Sequence, residues 1–217
     1  MPRLLCFADL HGNFDAAKSI EKLAGEYDIL IGAGDITHFY SAEVAKAMLH
    51  SFIKSSKKFL AVPGNCDLKA TLELMESLDI SLHGRGKIAG NLGFFGIGGS
   101  NKTPFNTPLE FDEAFLAQLL EEGYKEAEGA DFKILVSHTP PYGILDLAPS
   151  GEHIGSKAVR EFLDKNEVNL VVCGHAHEAK GTDKIKNTLV INTSPAKKWL
   201  LDIEIKSKEV KYDFISP

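Results

Sequence analysis

The sequence predicts an α/β fold carrying two β-sheets, and three observations point to it. Short apolar, β-rich runs alternate with amphipathic helix-like segments from residue 3 onward. The C-terminal stretch 197–216 instead alternates apolar and polar residues around a central turn. The clusters of Asp, His and Asn each begin where an apolar run stops.

Taken in order, RLLCFA (3–8) reads as a buried strand and NFDAAKSIEKLA (13–24) as a helix capped by Asn13. DILIGA (28–33) is a second strand. SAEVAKAMLHSFIK (41–54) is a helix with Ser41 as N-cap and Glu43 in its first turn, where a carboxylate meets the positive end of the helix dipole. KFLAVP (58–63) completes a βαβαβ rhythm, which requires parallel strands covered by helices. NLGFFGIGG (91–99) is a glycine-rich strand followed by a polar loop, SNKTPFNTP (100–108), and a helix over 110–127. FKILVSH (132–138), VNLVVCG (168–174) and TLVINT (188–193) are strands, and SKAVREFLDKN (156–166) is a helix. KKWLLDIEIKSKEVKYDFIS (197–216) forms an antiparallel hairpin turning at Ser207-Lys208. With no repeat and no low-complexity linker, residues 1–217 are expected to form one domain.

A chain of 217 residues that is 44% hydrophobic can bury a substantial core. Its net charge of −6 argues against a nucleic-acid backbone or an anionic membrane as partner. A small polyanion remains compatible with that charge if bound cations reverse the field locally. The apolar run Leu4 to Ala8 is too short for a signal-peptide core, and nothing approaches the roughly 18 apolar residues of a membrane span. Cys6, Cys66 and Cys173 are few, odd in number and far apart, which argues for a reducing cytoplasm and no disulfide framework.

Five clusters carry the chemistry: Asp9-Leu10-His11, Gly34-Asp35, Gly64-Asn65, Ser137-His138, and Gly174-His175-Ala176-His177. Loops at the carboxyl ends of strands form the ligand crevice of an open α/β sheet, so five strands deliver their ends to one place. Oxygen and imidazole donors suit two divalent ions of the Mn, Fe, Zn, Ni or Co type. In extended backbone, Asp-x-His and His-x-His point both side chains the same way. The glycines before the ligands (Gly34, Gly64, Gly174) leave room for tight turns and close backbone approach.

The series DLH (9–11), GD (34–35), GNCD (64–67), SHTPP (137–141) and GHAH (174–177) resembles the calcineurin-like metallophosphoesterase superfamily over residues 4–193. HTPPYGILD and the later HIGSKAVREFL resemble its branch containing the MPPED-type phosphodiesterases. The resemblance implies a four-layer α/β/β/α sandwich, two mixed β-sheets flanked by helices, with the C-terminal hairpin finishing one sheet. It assigns Asp9, His11 and His177 to one ion, Asn65, His138 and His175 to a second, and Asp35 to both. Asp35, Asn65, Asp67 and His138 are the expected catalytic group, with Asp67 holding an imidazole or Asn65.

Most of the superfamily has His where this chain has Cys66; that histidine is thought to contact the phosphate and help protonate the leaving group. Four roles for Cys66 stand open: nucleophile, soft metal ligand, weak proton donor, or a small side chain admitting a different substrate shape. A nucleophile would need a basic neighbour to lower the thiol pKa from about 8.5, and the sequence shows none. His38 and His153 are the candidate replacement acids, each equally readable as a surface histidine. Phe105 is expected to stack on a base or apolar group or else to anchor its loop, and Tyr142 has the same two readings. Arg85 reads as a phosphate contact or a solvated loop charge.

The expected function is a metal-dependent phosphodiesterase that attacks a small phosphate diester with water activated between two ions. The alternatives are a phosphomonoesterase, acting on protein or nucleotide, and a non-enzymatic scaffold. A nuclease would need a basic groove that the sequence does not display.

Overall fold

The computed structural model describes residues 1–217. In chain order the first elements are β1 (Arg3–Phe7), α1 (Phe14–Ala24), β2 (Ile29–Ala33), α2 (Ala42–Ser55), β3 (Phe59–Val62) and α3 (Lys69–Ser77). Next come β4 (Gly86–Ala89), β5 (Leu92–Ile97), β6 (Ser100–Asn101), β7 (Glu110–Phe111), α4 (Glu113–Ala127) and β8 (Phe132–Ser137). The rest are α5 (Lys157–Lys165), β9 (Leu170–Cys173), β10 (Gly181–Ile185), β11 (Thr188–Asn192), β12 (Leu200–Lys206) and β13 (Glu209–Ile215).

One sheet has the order β13-β12-β1-β2-β3 and the other β10-β11-β9-β8-β5-β4, with β6 and β7 forming a separate two-residue ladder. Within the first, β1, β2 and β3 run parallel while β12 and β13 join antiparallel, so the C-terminal hairpin does finish a sheet. Within the second, β5, β8, β9 and β11 run parallel and only the edge strands β4 and β10 are antiparallel.

The period-two alternation of β1 explains the layering. Leu4 and Cys6 face inward, meeting Ile31 and Val62 of their own sheet and Phe94, Ile134 and Val172 of the other in one buried cluster. Leu5 and Phe7 face outward and are covered by Ile20 of α1 and Leu49 and Phe52 of α2. On the far side Phe95, Leu135 and Val171 pack beneath Leu116 and Leu120 of α4 and Val159 and Phe162 of α5. Three apolar interfaces between four layers make the α/β/β/α sandwich.

Several elements depart from the expected boundaries. The helix expected from 110 starts at Glu113, because Ser100–Asn101 pairs with Glu110–Phe111. Strands β4 and β10 and helix α3 lie outside the sequence expectation: the two strands are polar sheet edges, and α3 buries only Thr71 and Met75. Asn13 caps α1 by accepting from the Ala16 amide at 2.9 Å, whereas Ser41 begins α2 without a side-chain cap.

Candidate metal centre

The two sheets end at a common edge, and the loops leaving β1, β2, β3, β8 and β9 meet there. The β1–β2 ladder continues past the strands: Asp9 donates its amide to Gly34 (3.0 Å), His11 to Asp35 (2.8 Å) and Gly12 to Ile36 (2.9 Å). His138 and Gly174 extend the second sheet likewise, His138 donating to Ile97 (3.1 Å) and Gly174 to His138 (3.0 Å). Asp9, His11, Asp35 and His175 all have left-handed backbones, with φ of 55°, 48°, 50° and 67°. That conformation costs a non-glycine residue about 1–3 kcal/mol, so this edge holds four of them against their preference.

The three glycines interlock the loops. A Cβ at Gly34 would stand 2.3 Å from His138 Nδ1, one at Gly64 would stand 1.9 Å from Asp35 Oδ1, and one at Gly174 would stand 2.3 Å from Asp9 Oδ2. The space at each glycine is filled by a polar side chain from another strand end, which is the close approach the sequence foretells.

The side chains form two adjoining groups. In the first, His177 Nε2 lies 3.1 Å from Asp9 Oδ1 and 3.2 Å from His11 Nε2, and His11 Nε2 lies 3.8 Å from Asp9 Oδ1. In the second, His138 Nε2 lies 2.9 Å from Asn65 Oδ1 and 3.6 Å from Asp35 Oδ2. Asp35 Oδ2 is also 3.6 Å from His11 Nε2, so one carboxylate oxygen stands equidistant from both groups. His175 stands edge-on to His138 with ring centroids 5.1 Å apart, and its amide donates to Asp9 Oδ2 at 2.9 Å.

The proton positions show what the donor set lacks. A carbonyl only accepts, so His138 Nδ1 donates to Ala33 O at 2.9 Å and a neutral His138 turns a bare Nε2 toward the centre. Asn65 is oriented from behind: Thr107 Oγ1 donates to Glu110 Oε1 (2.7 Å) and accepts from Asn65 Nδ2 (3.0 Å). The Asn65 oxygen is thereby presented to His138 Nε2, where two acceptors meet unless a proton or a cation lies between them. A cation resolves that contact, and Asp9, His11, His177 and Asp9, Asp35, His138 are each close enough to share one. The residues fit a divalent metal.

Electrostatics agree. Burial pushes the Asp35 carboxyl up to about 7; His138 opposes the shift, while the carboxylates of Asp9 and Asp67 add to it. Burial also acts to raise Asp9, but His177, His138 and His11 outweigh it and hold that carboxyl well below the usual range. Burial lowers His11 to about 4 and His175 to about 3, keeping both neutral as ligands must be. His138 is raised, Asp35 and Asp9 overcoming its burial. His177 is raised as well, chiefly by its hydrogen bond to Asp9.

A model of the family described as calcineurin-like phosphoesterase matches residues 2–179. The chain belongs to that family. It is 37% identical over 219 residues to the uncharacterized protein MJ1162 of Methanocaldococcus jannaschii, covering 98% of this chain and 96% of the relative. Among solved structures it resembles TT1561 of Thermus thermophilus, with TM-score 0.76, 16% identity and 98% of each chain covered. It also resembles a Danio rerio dimetal phosphatase, with TM-score 0.66, 11% identity and coverage of 100% of this chain and 97% of that one. An archaeal phosphodiesterase superposes with TM-score 0.56 and 14% identity over 98% of this chain and 99% of its own. At such identities these likenesses show the fold.

Other residues singled out in the calcineurin-like pattern lie as follows. Asp67 is buried and holds neither an imidazole nor Asn65. It accepts from the amides of Gly64 (2.9 Å), Ile36 (3.1 Å) and Thr37 (2.8 Å) and from the Thr37 hydroxyl (2.7 Å), tying the β2 loop to the β3 loop. The Cys66 thiol lies in a group with His11 and His38, and burial, reinforced by Asp35, pushes it far above its ordinary pKa. That favours the neutral thiol over a thiolate in the metal-free centre. Its backbone amide donates to Asp35 Oδ1 at 2.8 Å. His38 Nδ1 lies 3.2 Å from His11 Nδ1. Arg85 lies apart, paired with Glu126 at 3.7 Å beside Glu76 and Asp79.

Beside Asn65 and His175 opens a cleft of about 650 Å³ walled by Phe105, Tyr142 and His153, with Lys102 on its rim. Sequence reasoning does not find Thr107 and Glu110, nor Asp146 behind His153. Thr107-x-x-Glu110 has the spacing of a capping box, which is the available signal.

Proposed function

We propose that the protein is a dinuclear metal-dependent phosphodiesterase acting on a small phosphate diester. The observation that carries the reading is Asp35 Oδ2 standing 3.6 Å from both His11 and His138, the place of a bridging ligand between two donor groups. Asp9, His11 and His177 would hold one ion, and Asn65, His138 and His175 the other. Two such ions supply Lewis acidity toward the phosphoryl oxygens and an activated water to attack phosphorus. The protein's own part is to fix those donors through its left-handed turns, keep His11 and His175 neutral, and aim Asn65 through Thr107 and Glu110. The preference for diesters over monoesters rests on Cys66: a small, buried thiol at the family's histidine position leaves room for a second ester group. The adjoining cleft offers that group aromatic walls.

The test compares initial rates on bis-p-nitrophenyl phosphate and p-nitrophenyl phosphate after loading with Mn²⁺, Ni²⁺ or Zn²⁺, with metal content measured in parallel. Diester hydrolysis that tracks two bound ions supports the proposal. A monoester preference moves it to a phosphatase, and failure to bind two ions overturns the hydrolase reading.

A further inference from the structure

We propose that the cleft seats the alcohol side of the ester and that His153, aligned by Asp146, protonates that group as it leaves. The inference rests on the hydrolase reading above and supplies the acid that Cys66 does not. Asp146 is 1% exposed, and its Oδ2 accepts from the amides of Gly143 (2.9 Å) and Gly155 (3.1 Å). That leaves Oδ1 to His153 Nδ1 at 2.6 Å. The segment between them is braced, with Ala148 donating to Glu152 O (2.9 Å) and Ile154 to Asp146 O (3.0 Å). A Cβ at Gly155 would stand 2.8 Å from Asp146 Oδ2, so the chain closes tightly around this carboxylate.

The histidine it holds is not buried for packing. The His153 side chain is 43% exposed, borders the cleft together with Asn65 and His175, and makes no protein hydrogen bond through Nε2. The Asp146 carboxylate accepts the Nδ1–H and so fixes the tautomer, and the proton a charged His153 can deliver is the one on Nε2, which faces no protein partner. The other groups around it are Tyr142, ring centroids 5.4 Å away, Lys157 above that ring, Glu152, Lys102 and His175 along the cleft, and Glu178 on the side of Asp146. His38 is a poorer candidate because it lies against His11 and does not line the cleft. Across the cleft Phe105 is 81% exposed, an aromatic face placed to stack on a planar leaving group.

In the step, oxygen from water bonds to phosphorus and its proton passes to solvent. The bond from phosphorus to the ester oxygen breaks with its electron pair on that oxygen, which takes the proton from His153 Nε2. Neutral His153 then regains a proton from solvent.

The experiment compares wild type and His153→Gln on methyl p-nitrophenyl phosphate and methyl phenyl phosphate. Phenol, like tyrosine, ionises at about 10 and so needs a proton more than p-nitrophenol does. The substitution should depress the phenyl ester at least about 100-fold more than the p-nitrophenyl ester. Equal losses on both, or none, overturn the inference alone; no hydrolysis of either by metal-loaded wild type overturns the hydrolase reading with it. Independently of activity, NMR of the metal-free protein should show neutral His153 protonated on Nδ1, a state lost in Asp146→Asn. A neutral Nε2–H tautomer in wild type overturns the inference.

Discussion

Asp9, Asp35, Asn65 and His138 are each 5% exposed or less, whereas Phe105, beside the same cleft, is 81% exposed. The donors at the base of the centre are set by backbone. They sit one to three residues past strand ends, Asp9 and Asp35 in left-handed turns, with glycines of neighbouring loops leaving room for Asp9, Asp35 and His138. The cleft wall hangs on one side chain: the Glu110 carboxylate accepts from the amides and hydroxyls of Thr103 and Thr107 and so secures the loop that carries Phe105. Chemistry is thus written into the sheet edge, and substrate choice into loops hung beside it. The two are joined where Thr107 and Glu110 aim Asn65; away from that link the wall loops can change without disturbing the donors.

That contrast can be broken in stages. Asp35→Asn should remove activity on the order of 10³-fold or more by unbalancing both donor groups, with near-native circular dichroism as the check that the fold survives. Gly64→Ala should act on the fold itself, because its Cβ collides with Asp35. We expect a loss of about 3 kcal/mol, read as a fall in Tm of roughly 6–12 °C. Metal uptake should depend on pH, since Asp35, His138 and His177 hold protons to higher pH than usual and ions must displace them. Apparent affinity should therefore strengthen as pH rises through about 7, with proton release visible by calorimetry in buffers of different ionisation enthalpy.

Smaller effects test the wall. Glu110→Ala should weaken an ion held at Asn65 by about tenfold, because Thr107 loses the acceptor that orients the amide. Burial acts to raise Glu110, but hydrogen bonds from Thr103 and Thr107 outweigh it and hold the group at about 2, below its ordinary 4.5. Its contribution is therefore present above 4.5 and lost as pH falls toward 2, where the protection of the Thr107 amide relative to its intrinsic exchange rate should fall in wild type but not in Glu110→Gln. Phe105→Ala should shift stability by no more than about 0.5 kcal/mol while raising KM for aryl esters roughly fivefold or more.

The same contrast governs what can be read from sequence. The strands and the donors after them are legible because apolar runs and the polar residues that end them are local patterns. The resemblance to the family then sorts those donors into two ions. Edge strands β4 and β10 are not legible: GKIA buries no residue fully and GTDKI only Ile185, too little to write an alternation. Nor are the partners Thr107–Asn65 and Asp146–His153, whose meaning depends on which loop returns to which. Asp67 reads from sequence as a member of the site, yet four hydrogen bonds show it fastening two loops from beneath.

Strand β1, which leads into Asp9 and His11, lies between β2 and β12, and the Ala196 amide donates to Ala8 O at 2.7 Å just before Asp9. Residues 200–206 are translated after every candidate ligand has been made. Until they emerge from the ribosome, β1 has one open edge, and the turn bearing its two ligands lacks half its support. Loading of the centre is therefore an event of the finished chain: a nascent chain arrested before β12 should scavenge metal poorly, however many of its ligands it already carries.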